Sequence, residues 1–136
     1  MIDPYVLDAS ALLSILLDER GGDHVSQILD RSRIHAVNLA EAIGRLVRAG
    51  MPEEAAGASL RELHLEVDEE FGTAQAEYCG ALLGTRRELG LSLGDCVCLT
   101  TAAWLGAVAV TADRRWKTLE GTVVNDETIR VELIRG

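Results

Sequence analysis

Lysine is almost absent from this chain of 136 residues, because Lys117 is the only Lys among its 13 basic residues. This excludes a surface of diffuse ammonium charge, although local clusters of guanidinium groups could still bind phosphate. The 22 acidic residues leave a formal net charge of −9. We therefore do not expect a protein that binds nucleic acid or anionic membranes over its whole surface.

Cysteine is also scarce, and the three that occur, Cys79, Cys96 and Cys98, have no CxxC spacing. Their number and spacing exclude a disulfide framework and a cysteine zinc site, so we expect small, buried apolar side chains in a reducing compartment. The longest strongly apolar stretch, Ala11–Leu17, is far shorter than the roughly 20 residues of a membrane span. The start, Met1–Pro4, lacks the basic region of a signal peptide. We therefore expect a cytoplasmic protein.

Linker signals are missing as well. The sequence has only two prolines, no internal repeat and no low-complexity tract, and its 13 glycines are scattered between periodic segments. A chain of this length can bury one core but is too short for two ordinary domains. We therefore predict a single domain that spans residues 1–136.

Short apolar runs alternate with segments of helical periodicity along the chain. This alternation predicts an α/β fold, a three-layer α/β/α sandwich with a mainly parallel central sheet of about five strands. Sheets of this kind bind ligands outside the carboxyl ends of their strands. The predicted strands are Tyr5–Leu7, Ile34–Val37, Leu65–Val67, Ala107–Val110 and Ile129–Ile134.

Four acidic residues lie at or near the starts of predicted helices. Asp8 follows the first strand directly, and Glu41 lies in the first helical turn after the second strand. Asp113 follows the strand that ends at Val110, and Asp95 opens the helix before that strand. Because strand-to-helix turns lie on one edge of a parallel sheet, we expect Asp8, Glu41 and Asp113 to face one crevice. Asp95 joins them if its helix packs beside the strand that begins at Ala107.

Each of these carboxylates, taken alone, has a simpler explanation as a helix cap. Glu41 stands three residues after Asn38, and Asp95 stands three residues after Ser92, which is the spacing of a capping box. The other two could cap the short helices that follow them. A carboxylate at a helix N-terminus typically contributes about 0.3–1 kcal/mol through the helix dipole.

Their common location argues for a shared role. Two carboxylates about 5 Å apart repel each other by roughly 3 kcal/mol at an effective dielectric constant of about 20, so four of them need a compensating charge. Hard divalent cations such as Mg²⁺ or Mn²⁺ prefer oxygen ligands, and the absence of His and Cys from the set argues against zinc. The residues therefore favour a cation site that hydrolyses a nucleic-acid phosphodiester.

The four acidic segments resemble, in order and spacing, the motifs of PIN-domain nucleases. The first is Val6–Leu12 (VLDASAL) and the second is Asn38–Glu41 (NLAE). The third is Leu91–Asp95 (LSLGD), and the fourth is Val110–Arg114 (VTADR), followed by Trp116. Each motif alone is weak, but four in order are specific. Within this family, the chain length and the residue sequences of the last two motifs resemble those of the VapC toxins of bacterial toxin–antitoxin pairs.

The resemblance implies a PIN-like fold and an endoribonuclease that depends on Mg²⁺ or Mn²⁺ and cuts a structured RNA such as tRNA or rRNA. It also implies a homodimer that is neutralised by a small VapB-type antitoxin. Ser10 and Thr111 carry over as polar groups that support the site, although either could be an ordinary turn hydroxyl. The residues that carry over as catalytic and metal-binding are Asp8, Glu41, Asp95 and Asp113.

Four arginines are candidates for holding RNA phosphates around the acidic crevice. Arg86 and Arg87 lie near the end of a long predicted helix, and Arg114 and Arg115 follow Asp113 directly. The alternative is a solvated helix face, or favourable placement of Arg86 and Arg87 near a helix C-terminus.

Two alternative functions stay open within the same family. One is a housekeeping RNA nuclease without an antitoxin, and the other is a catalytically silent PIN scaffold that acts as a binding module. A receiver-type signalling module and a phosphatase with an aspartyl nucleophile fit poorly. Asp8 lacks the second acid that such sites place beside it or two residues further on.

Overall fold

The centre of the molecule is a sheet of five parallel strands, which confirms the predicted α/β fold. The computed structural model describes residues 4–124 and 126–135. The strands are β1 (Tyr5–Leu7), β2 (Ser32–His35), β3 (Glu66–Asp68), β4 (Val108–Thr111), β5 (Val123–Val124), β6 (Glu127–Thr128) and β7 (Val131–Leu133). The parallel sheet has the order β3-β2-β1-β4-β7, and a separate antiparallel pair, β5 and β6, lies outside it.

Helices cover both faces of the sheet, as a three-layer sandwich requires. Three short 3-10 helices, Leu29–Arg31, Arg87–Leu89 and Arg114–Leu119, complete the regular structure of the described residues. The α-helices are α1 (Ala9–Leu16), α2 (Gly22–Ile28), α3 (Ala36–Arg48), α4 (Glu53–Arg61), α5 (Thr73–Thr85) and α6 (Leu93–Leu105).

Alternation along the strands divides the core into two sides. Val6 and Ala109, which are partners in the register of β1 and β4, pack with α5 and α6. Their neighbours Leu7 and Val110 face the opposite side and pack with α1 and α2. Trp116 is fully buried in the α5–α6 side, where it anchors the turn after β4 as a packing residue.

The strand order reverses direction at β1. The chain runs outward from β1 through β2 to β3 on one side, and β4 and β7 lie on the other side. In parallel sheets such a reversal opens a crevice at the carboxyl ends of the strands. The residues that follow β1 and β4, Asp8 and Ala112, therefore flank this crevice.

Several local features differ from the sequence predictions, among them the final strand, which spans Val131–Leu133 rather than Ile129–Ile134. Strand β2 ends at His35 rather than Val37, so helix α3 begins earlier than expected. Helix α5 ends at Thr85 rather than near Leu89, because the backbone of Arg86 leaves the helical region (φ −118°, ψ 40°) and a 3-10 turn follows. The β5–β6 hairpin was not predicted, since two-residue strands show no periodicity.

No helix within the described residues is both long and apolar enough to cross a membrane.

Candidate functional site

The structure places the four predicted carboxylates in the lining of one cleft of about 430 Å³ at the carboxyl edge of the sheet. Asp8 and Asp113 come from the ends of β1 and β4, whereas Glu41 and Asp95 come from the first turns of α3 and α6. Helix α6 packs against β1 and β4, which brings Asp95 to the same edge. The cleft is lined by Asp8, Ala9, Ser10, Glu41, Arg45, Gly90, Ser92, Asp95, Ala112, Asp113 and Arg115.

Asp8 is the most deeply buried of the four, with 6% of its surface exposed. Its Oδ1 accepts hydrogen bonds from the Ser10 hydroxyl (2.7 Å) and from the backbone N–H of Ala11 (2.8 Å), and its Oδ2 accepts from the Thr111 hydroxyl (2.5 Å). Burial, with a smaller contribution from nearby Asp95, raises the pKa of Asp8 to about 6 despite these donors. The bond from Ala11 makes Asp8 the N-cap of α1, so it is both a cap and a cleft residue.

Ser10 and Thr111 form a small hydroxyl network around Asp8. The Ser10 hydroxyl accepts from the backbone N–H of Ala112 (3.0 Å), and the Thr111 hydroxyl accepts from the N–H of Asp113 (3.0 Å). Each hydroxyl thus joins the end of β4 to the start of α1. Because an ionised carboxylate can only accept hydrogen bonds, both hydroxyls donate their protons to Asp8 and fix its orientation.

Glu41 is held by a buried amide that the sequence reasoning missed. Asn38, which is 1% exposed, donates one hydrogen bond to Glu41 Oε1 (2.9 Å) and another to the carbonyl of Gly94 (2.9 Å). The carboxylate lies so close to Gly94 that a Cβ there would come within 2.3–2.6 Å of it. Glycine is therefore required at this contact between α3 and α6.

The expectation that Asn38 caps helix α3 is wrong. His35 is the N-cap, since its backbone is extended (φ −77°, ψ 147°) and its Nδ1 accepts from the N–H of Val37 (3.0 Å). The helix therefore starts at Ala36, and the Asn38 side chain is left to face Glu41 and Gly94 instead of the backbone. Its Oδ1 is buried and has no hydrogen-bond partner among the described residues.

Asp95 forms the capping box that its spacing predicts. Its backbone N–H donates to the Ser92 hydroxyl (3.0 Å), and its Oδ2 accepts from the N–H of Ser92 (2.9 Å). The capping geometry leaves Oδ1 without a hydrogen bond among the described residues. Asp95 thus keeps one carboxylate oxygen for the cleft while the other fixes the start of α6.

Asp113 is paired with Arg115. The guanidinium Nε lies 3.0 and 3.1 Å from the two carboxylate oxygens, and Nη2 lies 2.5 Å from Oδ2. This pair holds the pKa of Asp113 below its usual value. Asp113 also accepts from the backbone N–H of Arg115 (3.0 Å) and is the N-cap of the 3-10 helix that follows.

Each carboxylate of the cleft therefore has its own local donors, and these differ from one acid to the next. Among the described residues, no three His, Cys, Asp or Glu side chains are drawn together into a ready-made metal cage. The donor set still suits a hard divalent cation, because every acidic ligand offers oxygen and Asp8 and Asp95 are close enough to repel each other. The positive charge of such a cation would offset the remaining repulsion between these carboxylates.

The sequence model of the PIN domain matches residues 5–121, a range that includes all four carboxylates. The chain belongs to the PIN-domain family. The predicted resemblance to that family is thereby confirmed, and the four acidic residues lie in one PIN domain. No curated protein sequence matches this chain significantly.

Several solved structures resemble this PIN domain. PAE2754 from Pyrobaculum aerophilum is 24% identical, with a TM-score of 0.59, over 87% of this chain and 86% of that one. DNA-bound VapBC from Salmonella typhimurium is 20% identical, with a TM-score of 0.70, over 98% and 99% of the two chains. A toxin–antitoxin complex from Klebsiella pneumoniae is 19% identical, with a TM-score of 0.64, over 92% and 99%. At these identities the likeness shows a common fold.

The four arginines that were predicted to bind RNA lie in different parts of the PIN domain. Of the four, only Arg115 lines the cleft. Arg86 donates to the Thr122 hydroxyl (3.3 Å) beside the hairpin, and Arg87 and Arg114 are exposed outside the cleft lining. Arg45, one helical turn after Glu41, also lines the cleft and was missed, although its i,i+4 spacing from Glu41 could have indicated it.

All three cysteines of the PIN domain are buried free thiols, as expected. Cys98 lies under the cleft, where burial raises the pKa of its thiol, and Asp8, Asp95 and Glu41 raise it further. A thiol kept protonated in this way is a small apolar side chain and a poor nucleophile.

The raised pKa of Asp8 predicts a change in stability when the residue is made neutral. The pKa of Asp8 is about 6 in the folded state and 3.8 ordinarily. The neutral Asp8 carboxyl therefore makes its full contribution to the free energy of unfolding below about pH 4, and this contribution is lost as the pH rises through 6. In metal-free buffer at pH 7.5, we expect Asp8→Asn to raise the free energy of unfolding by up to about 3 kcal/mol. The gain should vanish near pH 4, as measured by urea unfolding.

Asp30→Asn is the matched control for this measurement, because Asp30 is exposed and precedes β2 at the opposite edge of the sheet. It should leave the free energy of unfolding unchanged within about 0.5 kcal/mol at both pH values. An Asp8→Asn protein that is less stable than wild type at pH 7.5 would contradict the burial cost assigned to this carboxylate.

The contact between Glu41 and Gly94 predicts that a side chain at position 94 weakens cation binding. Gly94→Ala must displace the Glu41 carboxylate, so we expect Mn²⁺ to bind at least about tenfold more weakly, measured by the electron paramagnetic resonance signal of free Mn²⁺. Gly80→Ala is the control, since Gly80 also lies in a helix but has open space where a Cβ would be. Equal Mn²⁺ affinity in both variants would show that the position of the Glu41 carboxylate does not matter for cation binding.

Proposed function

We propose that this PIN domain is a metal-dependent endoribonuclease that hydrolyses RNA phosphodiester bonds. The observation that carries the proposal is the convergence of Asp8, Glu41, Asp95 and Asp113 on one cleft at the point where the strand order reverses. An acidic cleft of this kind repels a phosphodiester unless a cation lies between them. Membership of the PIN-domain family supports the same chemistry.

The carboxylates of Asp8, Glu41 and Asp95 are the groups that would hold Mg²⁺ or Mn²⁺, and Asp113 completes the acidic set. When bound, the ion would activate a water and neutralise the charge of the phosphodiester. The surrounding residues prepare this site: Ser10 and Thr111 orient Asp8, while Asn38 holds Glu41. Rigid support of this kind keeps ligand oxygens in place without a cation-induced rearrangement.

RNA recognition would depend on few basic groups. Arg45 and Arg115 are the arginines in the cleft lining, and the Arg45 side chain makes no polar contact with other described residues, so it is available for a phosphate. Arg86, Arg87 and Arg114 stay candidates for contacts with more distant parts of the RNA. With a net charge of −9, non-specific binding should be weak.

We further propose that the activity is that of a VapC-type toxin neutralised by a VapB-type antitoxin. The proposal is supported by fold neighbours described as VapBC and as a toxin–antitoxin complex, which correspond to this chain over nearly its full length. An acidic cleft suits a basic segment of the antitoxin as its inhibitor. Homodimer formation and a cytoplasmic location belong to the same proposal.

Two other functions differ in what they predict. A catalytically silent scaffold would bind a partner but cleave no RNA. A housekeeping nuclease would cleave RNA but would not have a small reading frame for an antitoxin adjoining its own. The acidic set is complete in this chain, which favours catalysis over the silent scaffold.

RNA cleavage is the direct test of the proposed function. Purified protein, free of any partner, is incubated with total RNA in Mg²⁺, in Mn²⁺ or in EDTA, and the products are resolved by electrophoresis. We expect discrete fragments with either metal, none in EDTA, and a loss of at least about 100-fold in rate for Asp95→Asn, because Asp95 offers its free oxygen to the cleft.

Asp30→Asn serves as the control, since it removes one carboxylate at the opposite edge of the sheet and should cleave at the wild-type rate. Cleavage that is equal in Asp95→Asn and wild type would indicate a contaminating nuclease and would contradict the proposal. An intact RNA pool in every lane would favour the silent scaffold.

A further inference from the structure

Arg115 is the basic side chain of the cleft that is most fully engaged by the protein itself. Its Nε and Nη2 bind both carboxylate oxygens of Asp113, and its Nη1 donates to the carbonyl of Leu89 (2.5 Å). All three nitrogens of the guanidinium group therefore have partners within the chain. A phosphate could take the Nε–Nη2 edge of Arg115 only by displacing the bidentate Asp113 carboxylate, whereas Nη1 and Nη2 each keep a second N–H.

The adjacent arginine behaves differently. Arg114 is exposed and does not line the cleft, and its side chain makes no polar contact with other described residues. Arg45 lines the cleft, and its side chain is similarly without a polar partner among the described residues. Of these three arginines, Arg115 is thus the one whose charge is already paired within the chain, although its side chain stays 51% exposed.

The contact with Leu89 gives Arg115 a second role in joining chain segments. Leu89 ends the 3-10 turn just before the segment that leads into Asp95, whereas Asp113 lies in the turn after β4. Gly90 passes close to the same group, since a Cβ there would come within 3.3 Å of Nη1. Arg115 therefore bridges the loop that leads into α6, the helix of Asp95, and the loop that carries Asp113.

We propose that Arg115 is the built-in counter-cation of the acidic cleft, which holds the two loops together without a metal and competes with a divalent cation for Asp113. This inference rests on the proposed metal-dependent function. A guanidinium group that binds both oxygens of Asp113 leaves that carboxylate little capacity for an ion, and its positive charge opposes the ion's approach. The predicted role of Arg115 as a direct RNA contact is accordingly replaced by that of a positioning residue.

The test compares Mn²⁺ binding with stability in the absence of metal. Mn²⁺ affinity is measured by isothermal titration calorimetry, and the melting temperature is measured in EDTA, for wild type, Arg115→Gln and the control Arg114→Gln. We expect Arg115→Gln to bind Mn²⁺ about fivefold to tenfold more tightly and to melt at a lower temperature in EDTA. Arg114→Gln should match wild type in both measurements.

A conservative variant keeps the test decisive if Arg115→Gln folds poorly. Arg115→Lys retains the charge but cannot bind both carboxylate oxygens with a planar fork, so its Mn²⁺ affinity should lie between those of wild type and the glutamine variant. An Arg115→Lys protein that binds Mn²⁺ no more tightly than wild type would overturn the competition.

The measurements distinguish a failure of the proposed metal site from a failure of the role proposed for Arg115. Wild-type protein that binds no Mn²⁺ would overturn the proposed metal site and the competition together. Wild-type protein that binds Mn²⁺, with Arg115→Gln binding it equally or more weakly, would overturn the role of Arg115 and leave the metal site intact. Unchanged Mn²⁺ affinity with weaker binding of a fluorescein-labelled RNA oligonucleotide in EDTA would assign Arg115 to phosphate instead.

Discussion

The cost of placing several carboxylates together in one partly buried cleft is the constraint on which the organisation of this site depends. The parallel sheet brings the ends of β1 and β4 together, and α3 and α6 add two more acids to the same cleft. The protein stabilises each charge with separate donors: hydroxyls for Asp8, an amide for Glu41 and a guanidinium for Asp113. Asp8 is still destabilised by burial, so the cleft remains suited to a cation.

Much of this arrangement could be predicted from sequence, because it follows from chain order. Strands that alternate with helices predict a parallel sheet, and a parallel sheet places the residues after its strands at one edge. Asp8 and Asp113 follow directly from that rule. The capping alternative was also correct for Asp8, Asp95 and Asp113, which shows that one carboxylate can cap a helix with some of its lone pairs and face the cleft with others.

The parts that could not be predicted depend on where individual side chains point. Asn38 supports Glu41 only because His35 takes the N-cap position and starts α3 two residues before Asn38. Arg115 pairs with Asp113 because both lie at the start of the same 3-10 helix, and the Arg115 guanidinium group also reaches the carbonyl of Leu89. Both pairs are local in sequence, but the bonds that hold Asn38 to Gly94 and Arg115 to Leu89 join segments that are distant along the chain, and these have no periodic signal.

The central claim is that these carboxylates form one cation site, and diffraction from a crystal soaked in Mn²⁺ above pH 7 tests it most directly. At that pH Asp8 is ionised, because its pKa is about 6. We predict an anomalous difference peak in the cleft, within coordination distance of carboxylate oxygens from Asp8 and at least one of Glu41 and Asp95. A fully soaked crystal with no peak in the cleft, or with Mn²⁺ bound only elsewhere on the surface, would contradict the account.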